Sequence, residues 1–353
     1  MRLLSCLLLF FLSNNTFSQN IPLYVGGYTN GESEGIYQFQ FNTETGELSD
    51  KKLIGKTDNP SYIVLAPKKD FLYTVAESGE KSGKVIGFKI LEDGSLEKIS
   101  EVSSNGKHPC HLDVNKKGTK LVVSNYTGGN FSIIDVENGV LNEANQIVTL
   151  FRGEDKAHTH SAQFHKNELF VADLGINTFE HYTYNKEKNR YNSFNTISMV
   201  KKFGPRHFVL TKNKKFAYVI NEYGGTVTTL KRNKGKFKRV NDVATSKEDY
   251  KGRISCADIH LSKNEKFLYG TTRGENTISV FKRDKKSGLL EQIQNTSTHG
   301  NWPRNFTIDP TGKFILVANK ISSNICVFSI DKKTGKLTFI NEFESANPSC
   351  LKF

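Results

Sequence analysis

LYVGGY (23–28), LYTVAE (72–77), LVVSNY (121–126), LFVADL (169–174), AYVINE (217–222), LYGTTR (268–273) and ILVANK (315–320) are seven copies of one apolar strand signature, spaced by 49, 49, 48, 48, 51 and 47 residues. A fixed period of this kind marks a repeat architecture, and a strand-rich repeat of about 40–50 residues is a propeller blade. Three further strand signals accompany each copy. One precedes it, often after proline, as in PCHLDVN (109–115), PRHFVLT (205–211) and PRNFTID (303–309). One follows with apolar alternation, as in FSIIDV (131–136) and ISVFKR (278–283), and a weaker fourth comes after a glycine turn such as TGEL (45–48). Alternation with tight turns is the signature of antiparallel meanders. The expected fold is therefore all-β, a seven-bladed β-propeller.

The ends of the chain carry the closure. Leu23 opens a second strand, whereas PSCLKF (348–353) reads as a first strand. The N- and C-terminal strands are therefore predicted to share one blade and close the ring, which removes the open edges of a linear array. Residues 19–353 form one domain on this reading. Residues 1–18 stand apart: Arg2 precedes the apolar run LLSCLLLFFL (3–12), and a small residue, Ser18, precedes Gln19. This is the pattern of a secretory signal peptide, with an apolar run too short to span a bilayer. The expectation is export, periplasmic or secreted, with cytoplasmic residence if the leader does not function. No membrane insertion is expected after cleavage.

The net charge is +13, with Lys and Arg at 49 positions against 36 Asp and Glu. Much of the excess lies in turn sequences such as KNKK (212–215), DKKSG (284–288) and DKKTG (331–335). No arginine-rich run with interleaved aromatics suggests a nucleic-acid groove, so no nucleic-acid partner is expected. A basic background favours an anionic small molecule. Beyond Cys6 in the leader, Cys110, Cys256, Cys326 and Cys350 form no CxxC pair and no zinc spacing, and buried free thiols are the favoured reading.

In an antiparallel pair, the start of strand one and the end of strand two meet at one face of the ring. At the end of strand two the column reads Gly27, Ala76, Asn125, Asp173, Asn221, Thr272, Asn319, followed by Tyr28, Glu77, Tyr126, Leu174, Glu222, Arg273, Lys320. At the start of strand one stand Ser61, Cys110, His160, Arg206, Arg304 and Ser349, next to Tyr62, His111, Ser161, His207, Asp258, Asn305 and Cys350. The apolar frame repeats while these columns diverge into ionisable residues, which is how a functional site looks in a repeat. The candidate catalytic residues are His160, Arg206, Glu222 and Arg273. The candidate substrate-binding residues are His111, Asn125, Asp173, His207, Arg304 and Asn319. His160 and Glu222 are the candidate bases, with Glu222 placed ahead, and arginine forks suit a carboxylate, a phosphate or a developing oxyanion. The one G-x-S-x-G match, GESEG (31–35), lies between two strand signals and not at a strand-to-helix elbow, so it does not support a serine nucleophile. His158 and His160 form an HxH pair, but no carboxylate trio accompanies it, so neither metal nor cofactor is expected. Trp302 either stacks on a sugar ring or packs.

The segments AHTHS (157–161), ADLG (172–175), GPRH (204–207), INEY (220–223), TTRGENTISV (271–280) and WPRNF (302–306) resemble the seven-bladed propeller lactonases. That family includes propeller-type 6-phosphogluconolactonases and fungal carboxy-muconate lactonizing enzymes. The resemblance spans the mature chain. It implies a site of one histidine, two arginines and one glutamate, matched by His160, Arg206, Glu222 and Arg273, and it implies no metal. The implied activity is hydrolysis of a small lactone, anionic or sugar-derived. Export argues against a phosphorylated cytosolic substrate and for an unphosphorylated or acidic sugar lactone. The competing readings are a non-catalytic binding or interaction platform and a lactonizing cyclase.

Overall fold

The computed structural model describes residues 19–79 and 82–353; the expected leader, residues 1–18, lies outside the described residues. Among the described residues there are 28 strands and no helix, and the strands form seven four-stranded antiparallel sheets. The predicted seven-bladed β-propeller is the observed fold. Blade 5 illustrates the layout: Pro205–Leu210, Phe216–Asn221, Thr226–Asn233 and Lys236–Ala244 run in order from the channel outward. All six residues of Phe216–Asn221 are buried, because both faces of a second strand pack against neighbouring blades. In Lys236–Ala244 only Phe237 is buried. In this blade burial is greatest in the second strand and least in the outermost.

Blade 1 is built from both ends of the chain. Pro348–Lys352 pairs antiparallel with Asn20–Gly27, with Leu351 opposite Val25 and Cys350 opposite Gly26. Leu351 is fully buried against Leu23, Phe41 and Leu316. Polar contacts carry the closure sideways: Ser349 Oγ donates to the Ser61 carbonyl at 2.9 Å, and Leu351 N donates to Asn305 Oδ1 at 2.8 Å. One short strand therefore ties blades 7, 1 and 2.

Neighbouring blades are also locked at the opposite end of each meander. Phe71-Leu72-Tyr73, Phe216-Ala217-Tyr218 and Phe267-Leu268-Tyr269 open three second strands. In each case the tyrosine hydroxyl donates to the carbonyl of a turn glycine in the next blade: Tyr73 to Gly139 at 3.1 Å, Tyr218 to Gly288 at 2.8 Å and Tyr269 to Gly335 at 3.1 Å. Gly288 is in the left-handed region (φ +82°), and a Cβ there would lie 2.3 Å from the Phe216 ring. Glycine is needed both for the turn and for the close approach.

The four cysteines among the described residues are buried and unpaired. They pack as small apolar groups.

The Phe216–Gly288 contact makes a test of blade packing. Gly288→Ala adds a methyl inside the ring's contact distance at positive φ, and is expected to cost about 2–4 kcal/mol in urea unfolding. Gly153→Ala shares the positive φ (+59°) but has nothing within 4 Å, and should cost only about 1 kcal/mol. Equal losses would mean that the Phe216 contact contributes nothing.

Candidate active site

The site arises from a corner repeated at the head of the inner strands. In five blades the residue before the strand-opening proline has positive φ: Asn59 (44°), His108 (52°), Gly204 (65°), Trp302 (69°) and Asn347 (44°). The strand then bulges. Pairing skips one inner-strand residue at Ser349, Cys110, His160, Arg206 and Arg304, and blade 6 skips Ala257 and Asp258 together. A bulge breaks the alternation of a strand, so two consecutive side chains reach the channel. The first of each pair forms an upper layer and the second a layer beneath it.

Two cavities follow. The upper one, about 310 Å³, is lined by Tyr28, Glu77, His108, Cys110, Tyr126, Thr127, His160, Glu222, Arg273 and Arg304. The lower one, about 210 Å³, is lined by residues that include Tyr62, His111, Asp113, His207, Asp258, His260 and Lys352.

The upper cavity is organised by one carboxylate. Glu222 Oε2 lies 3.0 Å from Arg206 Nε and 2.9 Å from Arg273 Nη2, and Ser255 Oγ donates to Oε1 at 3.2 Å. Burial pushes the Glu222 carboxyl up, but the positive charges of Arg273, Arg206 and Arg304 outweigh it and hold it below the ordinary range. Arg273 is braced from behind, donating through Nε to the Ser255 carbonyl (3.0 Å) and through Nη2 to the Cys256 carbonyl (3.1 Å). The Trp302 indole packs against two cations, 5.2 Å from the guanidiniums of both Arg273 and Arg253.

Arg304 is different. Its guanidinium lies 5.2 Å from the Tyr28 ring centroid, and Tyr28 in turn donates its hydroxyl to Glu77 Oε2 at 2.8 Å. Among the described residues no acceptor takes a hydrogen bond from the Arg304 side chain. Burial works against its charge, but Tyr28 and Glu77 outweigh burial and raise its pKa. It is a cation with an open fork at the cavity wall.

His160 is 5% exposed, its Nδ1 has no partner among the described residues, and its ring meets those of Tyr126 and His207 edge-on. Burial, then the charges of Arg206, His207, Arg304 and Arg273, hold its pKa well below the usual histidine value. The imidazole is neutral at neutral pH, with a lone pair. Cys110 is not a nucleophile: burial pushes its thiol up to about 12.

The structure thus brings His160, Glu222, Arg273 and Arg304 to one cavity and separates the other candidates from it. Arg206 is 2% exposed and lies beneath Glu222, with Nη1 donating to the Ala257 carbonyl. His111 and His207 face the lower cavity, because they are the second residues of their bulges. Asn125, Asp173 and Asn319 do not line the upper cavity; each is spent on its blade. Asn125 Nδ2 donates to the Ser104 carbonyl (2.8 Å) and Asn319 Nδ2 to the Thr298 carbonyl (3.1 Å). Asp173 accepts from the backbone of His158, Gly175 and Ile176 and from the Thr159 hydroxyl, each at 3.0 Å. The three lie away from the cavity expected to take substrate and bond within their own blades. The HxH pair also separates, since His158 donates Nδ1 to the Tyr126 carbonyl (3.1 Å) and stacks on its ring. Among the described residues no group of three His, Cys, Asp or Glu side chains is arranged to hold a metal. Tyr28, Glu77 and Tyr126 stood in the same column as Glu222 and Arg273 but were not selected from sequence; the column itself was the signal. His108 and Thr127 carried none.

Comparison with known proteins agrees with this architecture. Residues 22–353 match the family described as "Lactonase, 7-bladed beta-propeller". A Formosa agariphila protein named 6-phosphogluconolactonase is 37% identical over 333 residues, covering 89% of this chain and 94% of that one. A Bacillus subtilis protein of the same name is 33% identical, covering 94% and 97%. The solved structure of a periplasmic gluconolactonase from Pseudomonas aeruginosa superposes with a TM-score of 0.88 at 27% identity, covering 94% and 98%.

The buried Glu222 pair sets a stability test. Glu222→Gln leaves two buried guanidiniums short of an anion and is expected to destabilise by about 3–5 kcal/mol. Because the native pKa of Glu222 is depressed, its contribution is full above about pH 4.3 and is lost as pH falls through the lower native value. Denaturant midpoints measured from pH 7 down to pH 3 should fall more in the parent than in Glu222→Gln. Parallel curves would show that the carboxylate contributes no net stability.

Proposed function

The chain belongs to the seven-bladed β-propeller lactonase family, and from that premise we propose how its channel mouth opens a lactone and which lactones it takes. It is a lactone hydrolase, a carboxylic-ester hydrolase. The substrate class that fits is a sugar-derived lactone carrying a negative charge. The observation that carries this is Arg304, a buried-wall cation with an unused fork beside a cavity of about 310 Å³. Arg273 and Arg304 line that cavity against Glu77 and Glu222, and Arg206 beneath Glu222 and Lys320 over the Tyr28 ring add positive charge just outside it, so the field at the mouth is net positive.

The proposed chemistry uses side chains alone. His160, a neutral imidazole on the cavity wall, takes a proton from water as the water oxygen attacks the lactone carbonyl. The carbonyl oxygen becomes an oxyanion beside Arg273, whose charge stabilises it, while Arg304 holds the substrate's own negative charge. That new negative charge offsets the arginine field that depresses His160, so the imidazole becomes a better base as the bond forms. Collapse of the tetrahedral intermediate breaks the ring C–O bond. The imidazolium returns its proton to the leaving alkoxide, and a hydroxy acid results. Glu222, held by two arginines, is a weak base here and serves to orient them. This reverses the order expected from sequence, where Glu222 stood ahead. Arg206 acts from beneath Glu222 and does not touch substrate.

Export belongs to the same proposal. Residues 1–18 carry the leader pattern, and the Pseudomonas gluconolactonase similar to this chain is described as periplasmic. An acidic, unphosphorylated sugar lactone suits that compartment, whereas the name 6-phosphogluconolactonase of the two relatives points to a phosphorylated one. Mass measurement on protein from fractionated native cells should find a chain starting near Gln19 outside the cytoplasm. Intact Met1 in the cytosol would favour the phosphorylated substrate.

The decisive assay is a panel of aldonolactones, neutral, carboxylated and phosphorylated, with the spontaneous rate subtracted. His160→Asn should lower kcat by about 10²–10⁴-fold while remaining folded. Arg304→Gln should raise KM for anionic lactones on the order of 10–100-fold and change neutral ones little. A general base must be deprotonated, so kcat should hold its plateau through neutrality and fall only well below about pH 6.5. Parent-like turnover by His160→Asn, or an acid limb at or above pH 6.5, would remove His160 from the base role.

A further inference from the structure

His207 was expected at the substrate, but its ring lies one layer lower, 5% exposed, between two groups that each use one of its nitrogens. Nδ1 is 2.7 Å from Asp258 Oδ1, and Nε2 is 3.4 Å from Arg206 Nη1. Asp258 is crowded with donors. Oδ1 also accepts from Ile259 N (3.0 Å); Oδ2 accepts from Phe306 N (3.2 Å) and from Asn305 Nδ2, with His260 Nε2 at 3.1 Å. Both oxygens have backbone N–H groups aimed at them, and Asn305 and His260 add side-chain nitrogens, an environment that favours the ionised, acceptor-only carboxylate. Its pKa is indeed well below the ordinary carboxylate value: burial pushes it up, but His260 and His207 outweigh burial.

An acceptor-only Asp258 decides the tautomer of His207. The proton must sit on Nδ1, which donates to Asp258. Nε2 then carries a lone pair, which suits an N–H from Arg206. Burial and the charge of Arg206 lower the His207 pKa to about 4, so the ring stays neutral and this polarity holds at pH 7. Arg206 Nη1 is then held between His207 Nε2 and the Ala257 carbonyl, while Nε, which makes no hydrogen bond, lies 3.0 Å from Glu222 Oε2 as an ion pair. We infer that His207, locked as the Nδ1–H tautomer by Asp258, is a positioning residue that aims Arg206 at Glu222 and so couples the lower channel to the lactone site. The inference rests on the reading of that site given above.

Two measurements test it. In the parent protein, ¹⁵N NMR of the histidine rings at pH 7 should show His207, assigned by its absence in a variant spectrum, with a protonated Nδ1 and a bare Nε2; a protonated Nε2 overturns the inference. Kinetics test the coupling. His207→Asn keeps a donor near the Nδ1 position but loses the acceptor facing Arg206. It should lower kcat about tenfold, the loss of one ordinary hydrogen bond, with KM within about twofold. In an Arg206→Lys background the same substitution should cost less than about twofold, because its route of action is already cut. His207→Gln, which puts an acceptor near the Nε2 position, should recover kcat to within about threefold of the parent. Additive effects in the cycle, or equal losses in His207→Asn and His207→Gln, overturn it. If His207→Asn fails to fold, His207→Gln and the tautomer decide. A parent that opens no lactone would defeat the functional reading while leaving the tautomer result standing.

Discussion

The antiparallel pairing of Pro348–Lys352 with Asn20–Gly27 is the contact on which the remaining structure depends. A four-stranded blade has an unpaired inner edge unless each blade carries a first strand, and blade 1 takes its first strand from the far end of the chain. With that strand in place, seven inner strands surround one axis and the ring has no open gap. Side chains from blades far apart in sequence are then brought together in one channel. Ser349 and Leu351 on the closing strand bond directly to blades 2 and 7. Closure is thus also what brings Arg304 of blade 7 and Tyr28 of blade 1 into contact at the cavity wall.

Channel geometry then dictates the electrostatics. Three arginines at one mouth repel, and burying them costs more than any one of their contacts returns. Glu222 meets that cost for Arg206 and Arg273, and braces from the Ser255, Cys256 and Ala257 carbonyls take up further N–H groups. Arg304 is left outside this arrangement, held by the Tyr28 ring and by the field of Glu77. Burial, together with the field of the arginines, keeps His160 neutral.

The bulges explain why a column read from sequence mixes two kinds of residue. Arg206 and His207 are adjacent in the chain and would face opposite ways in a regular strand. Because pairing skips Arg206, both enter the channel, one layer apart. The same holds for Cys110 and His111, which reach different cavities. Asn125, Asp173 and Asn319 end second strands at equivalent positions, and a polar residue there serves every blade by bonding to backbone. Their repetition was a sign of structure, while the divergence of Tyr28, Glu77, Glu222 and Arg273 in the next column was a sign of chemistry.

Repeat number, strand order and closure were legible in the sequence, because each depends on periodic burial and turn residues, which are local and recur seven times. The membership of His160, Glu222, Arg273 and Arg304 in one mouth was legible too, since equivalent positions in a closed repeat must converge. Which ionisable groups face substrate and which face each other was decided only in three dimensions. The placement of Arg206 beneath Glu222, the tie from Asp258 to His207 and the neutrality of His160 all depend on distances between blades and on burial inside the channel. A periodic pattern cannot carry that information, because Coulomb interactions and desolvation depend on separation in space rather than along the chain.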